Sequence, residues 1–326
     1  DLRRVPGLIW REKGKPVLND KLFTKDLDEL EAPAWDLIRP ETYPEAQHGA
    51  FFKKFPIAPI MTTRGCPFLC TFCAGNLISG RVLRKRSPEN ILGEIESLYR
   101  DRGIREFHIV DDNFTLDRRF AKNFLLGLKK RNLDISWAVP NGIRMDTLDD
   151  ELLGLMKDTG LYLISLGIES GSDRILGLMK KNMTTEKVRH YVGMIRRHGI
   201  DIAGFFILGF PGETVRDIKK TIKFSLELDL IRANFFTYLP FPGTESFRNL
   251  KRDGRLRSLD MRKFYFMNAT FTPRGIDKKA LKAFQREAFL RFFLRPGIMI
   301  KNISQIKSPR HFKFLFKRFA RWMLLK

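Results

Sequence analysis

The sequence predicts an α/β fold, a partial (β/α)6 barrel, and three observations support that prediction. From Ile57 onward, six short apolar runs alternate with longer amphipathic segments, which is the pattern of repeated β-α units around a parallel sheet. Several of the apolar runs end in glycine and polar residues, as expected where parallel strands meet the loops of an active site. The chain has 326 residues, 43% of them hydrophobic, which is enough for a sizeable core.

Most of the predicted strands lead into a predicted helix. The first strand, 57–63, continues into a loop that contains every cysteine of the chain and then into a helix that starts at Pro88. Ser87 is a typical N-cap residue, and proline suits the first helical position. The other predicted strands are 106–110, 135–139, 162–168, 202–208 and 233–239. The helices after them are 116–130, 148–157, 184–198 and 215–228.

Three regions follow from this pattern: a lead-in segment at 1–52, a barrel core at 53–265 and a helical, basic extension at 266–326. The extension starts with an amphipathic helix over 276–293, and from Arg295 onward it carries no acidic residue. Its final helix has an apolar face and a basic face. The apolar face comprises Phe312, Leu315, Phe316, Phe319, Trp322 and Met323, and the basic face Arg310, Lys313, Lys317 and Arg321.

A basic amphipathic helix with aromatic residues is typical of a segment that lies in a membrane interface. The alternative is a helix that packs on the barrel with a solvated basic rim. Nucleic acid would also attract a net charge of +23, but no recognisable RNA-binding module accompanies the charge, so we do not expect a nucleic-acid partner.

No apolar run reaches the length of about eighteen residues that a membrane-spanning helix needs. The chain opens on Asp1, without methionine and without the pattern of a signal peptide. We therefore expect a cytoplasmic chain whose natural start lies further upstream. The basic extension adds the expectation of peripheral contact with the inner face of the membrane.

The cysteines are the most specific feature of the chain. All three, Cys66, Cys70 and Cys73, lie within eight residues of one another. A disulfide framework needs an even number of cysteines and a small secreted scaffold. A structural zinc site needs four ligands, and none of the five histidines lies within fifteen residues of the cysteines. The spacing favours an iron–sulfur cluster held by three thiolates, with one iron open to a small molecule.

The sequence Cys66-x-x-x-Cys70-x-x-Cys73, with Phe72 before the last cysteine, resembles the signature of the radical S-adenosylmethionine (SAM) superfamily. The resemblance implies a TIM-like partial barrel in which the three cysteines hold a [4Fe–4S] cluster and the open iron binds SAM. It implies cleavage of SAM to a 5′-deoxyadenosyl radical and a one-electron donor such as a flavodoxin or ferredoxin. The cofactors carry the hard chemistry, so no residue beyond the cluster is assigned a catalytic role.

The resemblance also implies SAM contacts at the strand ends. Asp112 and Asn113 occupy the place where the family most often has Gly-Gly-Glu for the methionine amine, and the alternative is that Asn113 or Thr115 caps the next helix. Arg144 would pair with the SAM carboxylate, or is a solvated loop cation. Glu169 would contact the ribose or the amino group, or is a simple loop carboxylate. The remaining expected contacts are Phe72, Ser170, Ile207, Gly209 and Leu239.

The stretch Gly212-Glu213-Thr214 is expected to be a turn and a helix start. The lead-in segment, with Val5-Pro6-Gly7-Leu8-Ile9-Trp10, resembles the linker between a cobalamin-binding domain and the radical core in one subgroup. That subgroup includes cobalamin-dependent methyltransferases and the anaerobic ring cyclase of tetrapyrrole synthesis. The resemblance implies hydrogen abstraction from an unactivated carbon of a small lipophilic substrate, followed by methyl transfer from cobalamin. The alternatives are a radical cyclase or oxidoreductase without methyl transfer, and a basic, zinc-stabilised binding protein.

Overall fold

The central sheet has six strands, which lie side by side in their order along the chain. The structure, a computed structural model, describes residues 1–43, 52–256, 260–306 and 308–323. Its strands are β1 Ile9–Glu12, β2 Lys15–Leu18, β3 Ile57–Ile60, β4 Thr63–Arg64, β5 Arg84–Lys85, β6 Glu106–Ile109, β7 Ser136–Ile143, β8 Leu161–Glu169, β9 Asp201–Leu208 and β10 Arg232–Thr237. The central sheet runs β10-β9-β8-β7-β6-β3 and is parallel throughout. The short strands β4 and β5, which lie between β3 and β6 in the chain, form a separate pair.

The helices alternate with these strands. They are α1 Gly75–Ser79, α2 Pro88–Asp101, α3 Arg118–Arg131, α4 Asp150–Asp158, α5 Asp173–Leu178, α6 Thr185–Arg197, α7 Val215–Glu227, α8 Glu245–Arg252, α9 Lys278–Phe293, α10 Pro296–Ser304 and α11 Pro309–Met323. Single turns of 3-10 helix lie at Leu2–Arg4, Pro40–Thr42, Met145–Thr147 and Met261–Lys263. The predicted fold class, a partial barrel of β-α units, is confirmed.

The predicted strands and helices all occur, with ends that differ by a few residues. Ser87 caps α2 as expected, because its side chain accepts the Asn90 N–H and Pro88 holds the first helical position. Strand β7, predicted as 135–139, is longer than expected. It includes Asn141 and Gly142, where its register with β8 is irregular. The periodicity of the sequence did not reveal the β1–β2 hairpin, the β4–β5 pair or the short helices α1, α5 and α8.

The main core lies between the sheet and the helices that cover it. Strand residues such as Ile60 and Ile164 and helix residues such as Leu125 and Ile195 are at most 1% exposed and belong to one continuous cluster. Burial of these side chains is the dominant force that fixes each helix on the sheet. The strand ends, with their loops, are therefore carried by a well-packed scaffold.

Helix α9 packs against the edge strand β10. Gln285 Nε2 donates to the Phe235 carbonyl at 2.7 Å, and the rings of Phe235 and Phe292 meet edge to face at 6.2 Å. The predicted helix 276–293 is thus confirmed, and it covers the sheet edge directly. The predicted boundary at 52 adjoins residues 44–51, which lie outside the described part of the chain, and the division into three regions stays a prediction.

The last helix, α11, exposes part of its apolar surface and buries another part. His311 is 1% exposed, and its ring centre lies 5.1 Å from that of Phe52. Leu315 packs against the small cluster of Phe52 and Ile57. Phe312 and Phe316 are 54% and 59% exposed. The side chains of Arg310, Phe319, Arg321, Trp322 and Met323, which belong to the predicted faces, lie outside the described residues. Among the described helices none is both long and apolar enough to cross a membrane.

Candidate active site

The cysteine loop is held in place by short backbone contacts with several elements. Its ends are joined by the antiparallel pair β4–β5, and Cys66 N–H donates to the Gly80 carbonyl at 3.1 Å. At its centre, Thr71 N–H donates to the Met179 carbonyl at 3.0 Å. Gly65 has φ +100, and a Cβ there would lie 2.2 Å from the Val82 carbonyl oxygen, so only glycine fits the start of the loop.

The three thiols lie close enough to influence one another. Burial raises the pKa of the Cys66 and Cys73 thiols, and the charge of Cys70 raises each further. The Gly75 N–H lies 3.3 Å from Cys73 Sγ and favours the thiolate. Among the described residues, no three cysteine, histidine or acidic side chains converge on a single ion. Three thiolates of one loop can each bind a different iron of an iron–sulfur cluster.

Two buried cations lie beside the thiols. The Arg144 guanidinium favours the Cys66 thiolate, and Lys181 favours the Cys73 thiolate. Arg144 is 7% exposed and Lys181 8% exposed. Three thiolates bring a concentrated negative charge to a partly dry site, and buried cations compensate it. The donor set and its surroundings therefore fit an iron–sulfur cluster.

Lys181 forms a buried ion pair with Glu169 at the end of β8. Lys181 Nζ lies 2.8 Å from Glu169 Oε1. Burial lowers the pKa of Lys181, but the Glu169 carboxylate and Cys70 raise it by more, so the net shift is upward. Glu169 has φ +66 and lies at an irregularity in the register with β9. A Cβ at Gly167 would lie 2.5 Å from Glu169 Oε1 and 2.8 Å from Lys181 Nζ. The missing side chain of Gly167 provides the space for this ion pair.

Arg144, at the end of β7, is held on two sides. Its Nε and one terminal nitrogen donate to both carboxylate oxygens of Asp146, at 3.0 and 2.6 Å. The other terminal nitrogen donates to the Lys181 carbonyl at 3.1 Å. The guanidinium lies 3.7 Å above the ring of Phe68, a residue of the cysteine loop. Arg144 is therefore a fixed, buried cation and not a solvated loop residue.

The three polar residues after β6 have different surroundings. Asp111 is buried, and its carboxylate accepts four hydrogen bonds, from the N–H and hydroxyl of Thr62 and of Thr63. Burial raises its pKa to about 6. Asp112 is exposed and accepts the Gly65 N–H at 3.1 Å. Asp111 thus fixes the entry to the cysteine loop, and Asp112 lies directly against it.

Asn113 has an amide group that is only partly satisfied. The residue is 1% exposed, and its Oδ1 accepts a hydrogen bond from the backbone N–H of Arg144 at 3.4 Å. Its Nδ2 is buried and has no hydrogen-bond partner among the described residues. A buried donor of this kind is rare in folded proteins and is expected to meet a ligand or an ordered water. Asn113 and Thr115 do not cap α3, because Asp117 does.

An apolar wall lies next to the polar groups. The Phe72 and Phe210 rings meet edge to face at 6.5 Å. Phe72 and Ile207 both pack against a buried cluster that includes Phe210 and Tyr238. Phe72 and Ile207, two of the expected SAM contacts, are thus on the same cluster.

Of the three further expected contacts, Gly209 and Ser170 have other neighbours in the structure and Leu239 is buried. A Cβ at Gly209 would lie 2.6 Å from Leu281 Cδ2, and the residue has φ +82, so glycine is required by the approach of α9 and by the turn. The Ser170 hydroxyl is buried and lies 3.1 Å from the Thr221 hydroxyl of α7. Leu239 is 5% exposed. The contacts of these three residues with SAM stay predictions.

Glu213 is a buried carboxyl group, whereas the sequence predicts only a turn and a helix start at this position. It is 1% exposed, its Oε2 accepts the N–H groups of Gly209 and Phe210, and burial raises its pKa to about 8. Its Oε1 has no partner among the described residues. Thr214 caps α7 in a capping box, as expected for a helix start. Glu213 therefore fixes the turn after β9 from inside.

The cysteines and Phe72 lie on the loop between β4 and β5, and Asp112, Asn113, Arg144, Glu169 and Ile207 lie at or just after the carboxyl ends of the central strands. The structure adds Lys181, which pairs with Glu169, and Asp111, which binds Thr62 and Thr63. It also shows that Glu213 is buried in the turn after β9. Lys181 follows Lys180, and two successive lysines are typical of a solvent-exposed turn. No signal in the sequence therefore indicates that Lys181 is buried. A carboxylate that directly follows an apolar strand, as Asp111 does, is a signal that could have been used.

Comparison with known proteins agrees with this geometry. Residues 60–225 match the radical SAM superfamily. A protein named as an uncharacterized methyltransferase of Pyrococcus horikoshii is 32% identical over 99% of this chain and 68% of its own length. The anaerobic magnesium-protoporphyrin IX monomethyl ester cyclase of Rubrivivax gelatinosus is 26% identical over 88% of this chain and 50% of its own length.

Among solved structures, the cobalamin-dependent S-adenosylmethionine radical enzyme OxsB, with aqua-cobalamin and S-adenosylmethionine bound, superimposes with a TM-score of 0.68. It is 17% identical, and the match covers 98% of this chain and 52% of that one. This likeness confirms the fold. The chain thus spans about half to two thirds of the proteins it matches.

Proposed function

The chain belongs to the radical SAM superfamily of enzymes, and from that premise we propose that it abstracts hydrogen from an unactivated carbon and adds a methyl group there. The superfamily implies a [4Fe–4S] cluster and SAM. When bound, these cofactors supply the 5′-deoxyadenosyl radical. The protein binds the cofactors and the substrate, orients them, and excludes water from the site.

The observation that carries the proposal is the set of three neighbouring thiols with two buried cations beside them. Cys66, Cys70 and Cys73 would hold the cluster. The charges of Arg144 and Lys181 lower the cost of bringing thiolates and an anionic carboxylate into a partly buried site. Two guanidinium N–H groups of Arg144 remain for the SAM carboxylate after Asp146 and the Lys181 carbonyl have taken the others.

The remaining roles follow the chemistry of the free polar atoms. The Nδ2 of Asn113 lacks a partner among the described residues and would donate to an oxygen of the bound ligand. Asp112 would offer its exposed carboxylate to the amine of SAM. Glu169 Oε1 is taken by Lys181, and its Oε2 accepts no hydrogen bond from the described residues. This oxygen would accept a donor from the ribose or the amino group. Phe72 and Ile207 would provide the apolar surface for the adenine. Gly209, two residues after Ile207, and Leu239, just after β10, would add to it.

The likeness to a methyltransferase over 99% of this chain supports methyl transfer. Cobalamin as the methyl carrier is supported by the fold it shares with a cobalamin-dependent enzyme. The alternative reaction is cyclisation or oxidation without methyl transfer, which the relationship with a cyclase favours. Product analysis separates the two: methyl transfer yields S-adenosylhomocysteine and a methylated product beside 5′-deoxyadenosine, and 5′-deoxyadenosine alone contradicts it.

We also propose a cytoplasmic location with contact to the membrane surface through the C-terminal helices. Ile300, Ile303, Phe312 and Phe316 are 54–68% exposed, and Lys313 and Lys317 between and beside them are exposed as well. Exposed apolar side chains with basic neighbours suit anionic head groups. A lipophilic substrate would agree with this location, and a small electron carrier such as a flavodoxin or ferredoxin would supply the electron.

Iron analysis tests the proposal against a zinc-stabilised binding protein. After anaerobic reconstitution we expect iron and sulfide in the protein and reductant-dependent formation of 5′-deoxyadenosine from SAM. Cys70→Ala should remove both, because one of three cluster ligands is lost. Zinc without iron in the reconstituted protein would favour the binding protein.

A further inference from the structure

Two arginines stand directly opposite each other on the short ribbon that joins the ends of the cysteine loop. Arg64 of β4 is paired in register with Arg84 of β5. Paired residues of an antiparallel ladder project their side chains to the same face. Like charges in this arrangement destabilise the ladder. A negative charge bound between them would therefore be stabilising.

The partners of the two guanidinium groups are neutral. Arg84 donates to the carbonyls of Thr24 and Ser79, and Arg64 Nε lies 3.0 Å from the sulfur of Met61. Within the described ranges neither arginine forms a salt bridge with an acidic side chain. Burial and the neighbouring Arg64 charge lower the pKa of Arg84, and the Asp112 carboxylate offsets part of this effect. Asp112 thus compensates some of the positive charge of the pair, but among the described residues neither guanidinium is neutralised by an ion pair.

Both arginines line a cavity of about 410 Å³ beside the cysteine loop. The lead-in segment, the ends of β3 and β6, and helix α1 form its walls. The apolar side chains in these walls are Leu22, Phe23, Met61, Ile78 and Val110. Asp111 and Asp112 also line the cavity. The Asp111 carboxylate is taken by Thr62 and Thr63, and one Asp112 oxygen is taken by the Gly65 N–H. The cavity thus combines two arginines with several apolar side chains, and hydrogen bonds hold its carboxylates.

We infer that this cavity binds an amphiphilic substrate, with its carboxylate or phosphate between Arg64 and Arg84 and its apolar part against Phe23, Met61 and Ile78. Guanidinium groups recognise such oxyanions through paired N–H donors. The inference rests on the proposed function in one respect, since it places the substrate of that reaction next to the cluster ligands. It makes the substrate lipophilic at one end and anionic at the other.

Binding of octyl phosphate to the reconstituted protein, measured by calorimetry at physiological salt, tests the inference. We expect Arg64→Gln to weaken binding by about tenfold or more, the range for a lost hydrogen bond to a charged group. Arg81→Gln is the matched control, because Arg81 is exposed on the same loop and does not line the cavity. It should change binding by less than about twofold, the effect expected of one solvent-exposed, screened charge.

Arg64 is the better position to change, because Arg84 also anchors Thr24 and Ser79 and its loss could disturb the loop. Arg64→Lys keeps the charge and should restore part of the affinity. Two further probes distinguish the source of the anion. Octanol should bind weakly, because it lacks the charge, and inorganic phosphate should bind more weakly than octyl phosphate, because it lacks the apolar chain.

Equal weakening by Arg64→Gln and Arg81→Gln would overturn the inference, since general basic charge would then explain binding. Inorganic phosphate binding as tightly as octyl phosphate would also overturn it, in favour of a site for the phosphate of a cofactor. The proposed function is measured separately, by SAM cleavage in the unaltered protein. SAM cleavage without octyl phosphate binding contradicts this inference alone, and binding without cleavage contradicts the proposed function alone.

Discussion

Lys181 Nζ lies 2.8 Å from Glu169 Oε1, and both side chains are at most 10% exposed. The pair joins the end of β8 to the segment after α5, and the charge of Lys181 also reaches Cys70 and Cys73. A buried ion pair that loses one partner leaves an uncompensated charge in a dry site. This contact therefore links the stability of the barrel end to the thiols.

Lys181→Met should lower the free energy of unfolding by about 3–5 kcal/mol, the usual cost of breaking a buried pair. Lys180→Met is the matched control: its partner Glu245 is also 2.8 Å away, but Lys180 is 53% exposed. That substitution should cost less than about 1 kcal/mol. Denaturant unfolding of the reconstituted proteins measures both, and equal losses would contradict the importance of burial.

Gly167→Ala should destabilise the protein by about 1–3 kcal/mol, the range for an overpacked core. The added Cβ would lie 2.5 Å from Glu169 Oε1 and 2.8 Å from Lys181 Nζ. Gly154→Ala in α4 is the control, since no atom lies within 4 Å of its Cβ position. That variant should be unchanged or more stable by up to about 1 kcal/mol. If Gly167→Ala left the thermal unfolding midpoint unchanged, the ion pair of Glu169 and Lys181 would have to be free to move away from the added Cβ.

Glu213 makes stability depend on pH. The folded chain holds its proton up to about pH 8, whereas an unfolded glutamic acid loses it near pH 4.3, roughly. The free energy of unfolding should therefore fall as the pH rises between these values, because the unfolded state binds fewer protons. Glu213→Gln keeps a neutral side chain and removes the titration.

The variant should gain stability relative to the unaltered protein by at most about 2.7 kcal/mol between about pH 5.5 and about pH 7.5, at 1.36 kcal/mol per pKa unit. Asp111, with a pKa of about 6, is present in both proteins and cancels in the difference. Urea unfolding at several pH values measures the effect. Parallel curves for the two proteins would show that Glu213 is ionised throughout.

Much of this site follows from the sequence, and the remainder depends on packing. The cysteine spacing and the apolar runs predict the metal ligands and the sheet, and the position of Glu169 after a strand predicts its place at the sheet edge. Lys181 and Glu213 could not be found in this way, because burial and ion pairing depend on elements far apart in the chain. The predicted single apolar face of α11 is likewise divided, because Leu315 packs against the cluster of Phe52 and Ile57, more than 250 positions earlier in the chain.

Phe312→Ser with Phe316→Ser should reduce binding to phosphatidylglycerol vesicles by about tenfold or more, because burial of a phenylalanine contributes about 1.5–3 kcal/mol. The two rings are exposed and lie 6.2 Å apart. Leu126→Ser is the control, since Leu126 is 46% exposed on α3. Co-sedimentation measures binding, which should also fall as salt rises. Unchanged binding of the double variant would favour packing of α11 on the barrel as its sole role.

The most direct test of the account is the iron content and SAM chemistry of the anaerobically reconstituted protein. We predict about four irons per chain, as a [4Fe–4S] cluster requires, and formation of 5′-deoxyadenosine from SAM when a strong reductant is added. Cys70→Ala should abolish that product. Absence of bound iron, or SAM cleavage that is unaffected by Cys70→Ala, would contradict the assignment of Cys66, Cys70 and Cys73 as cluster ligands.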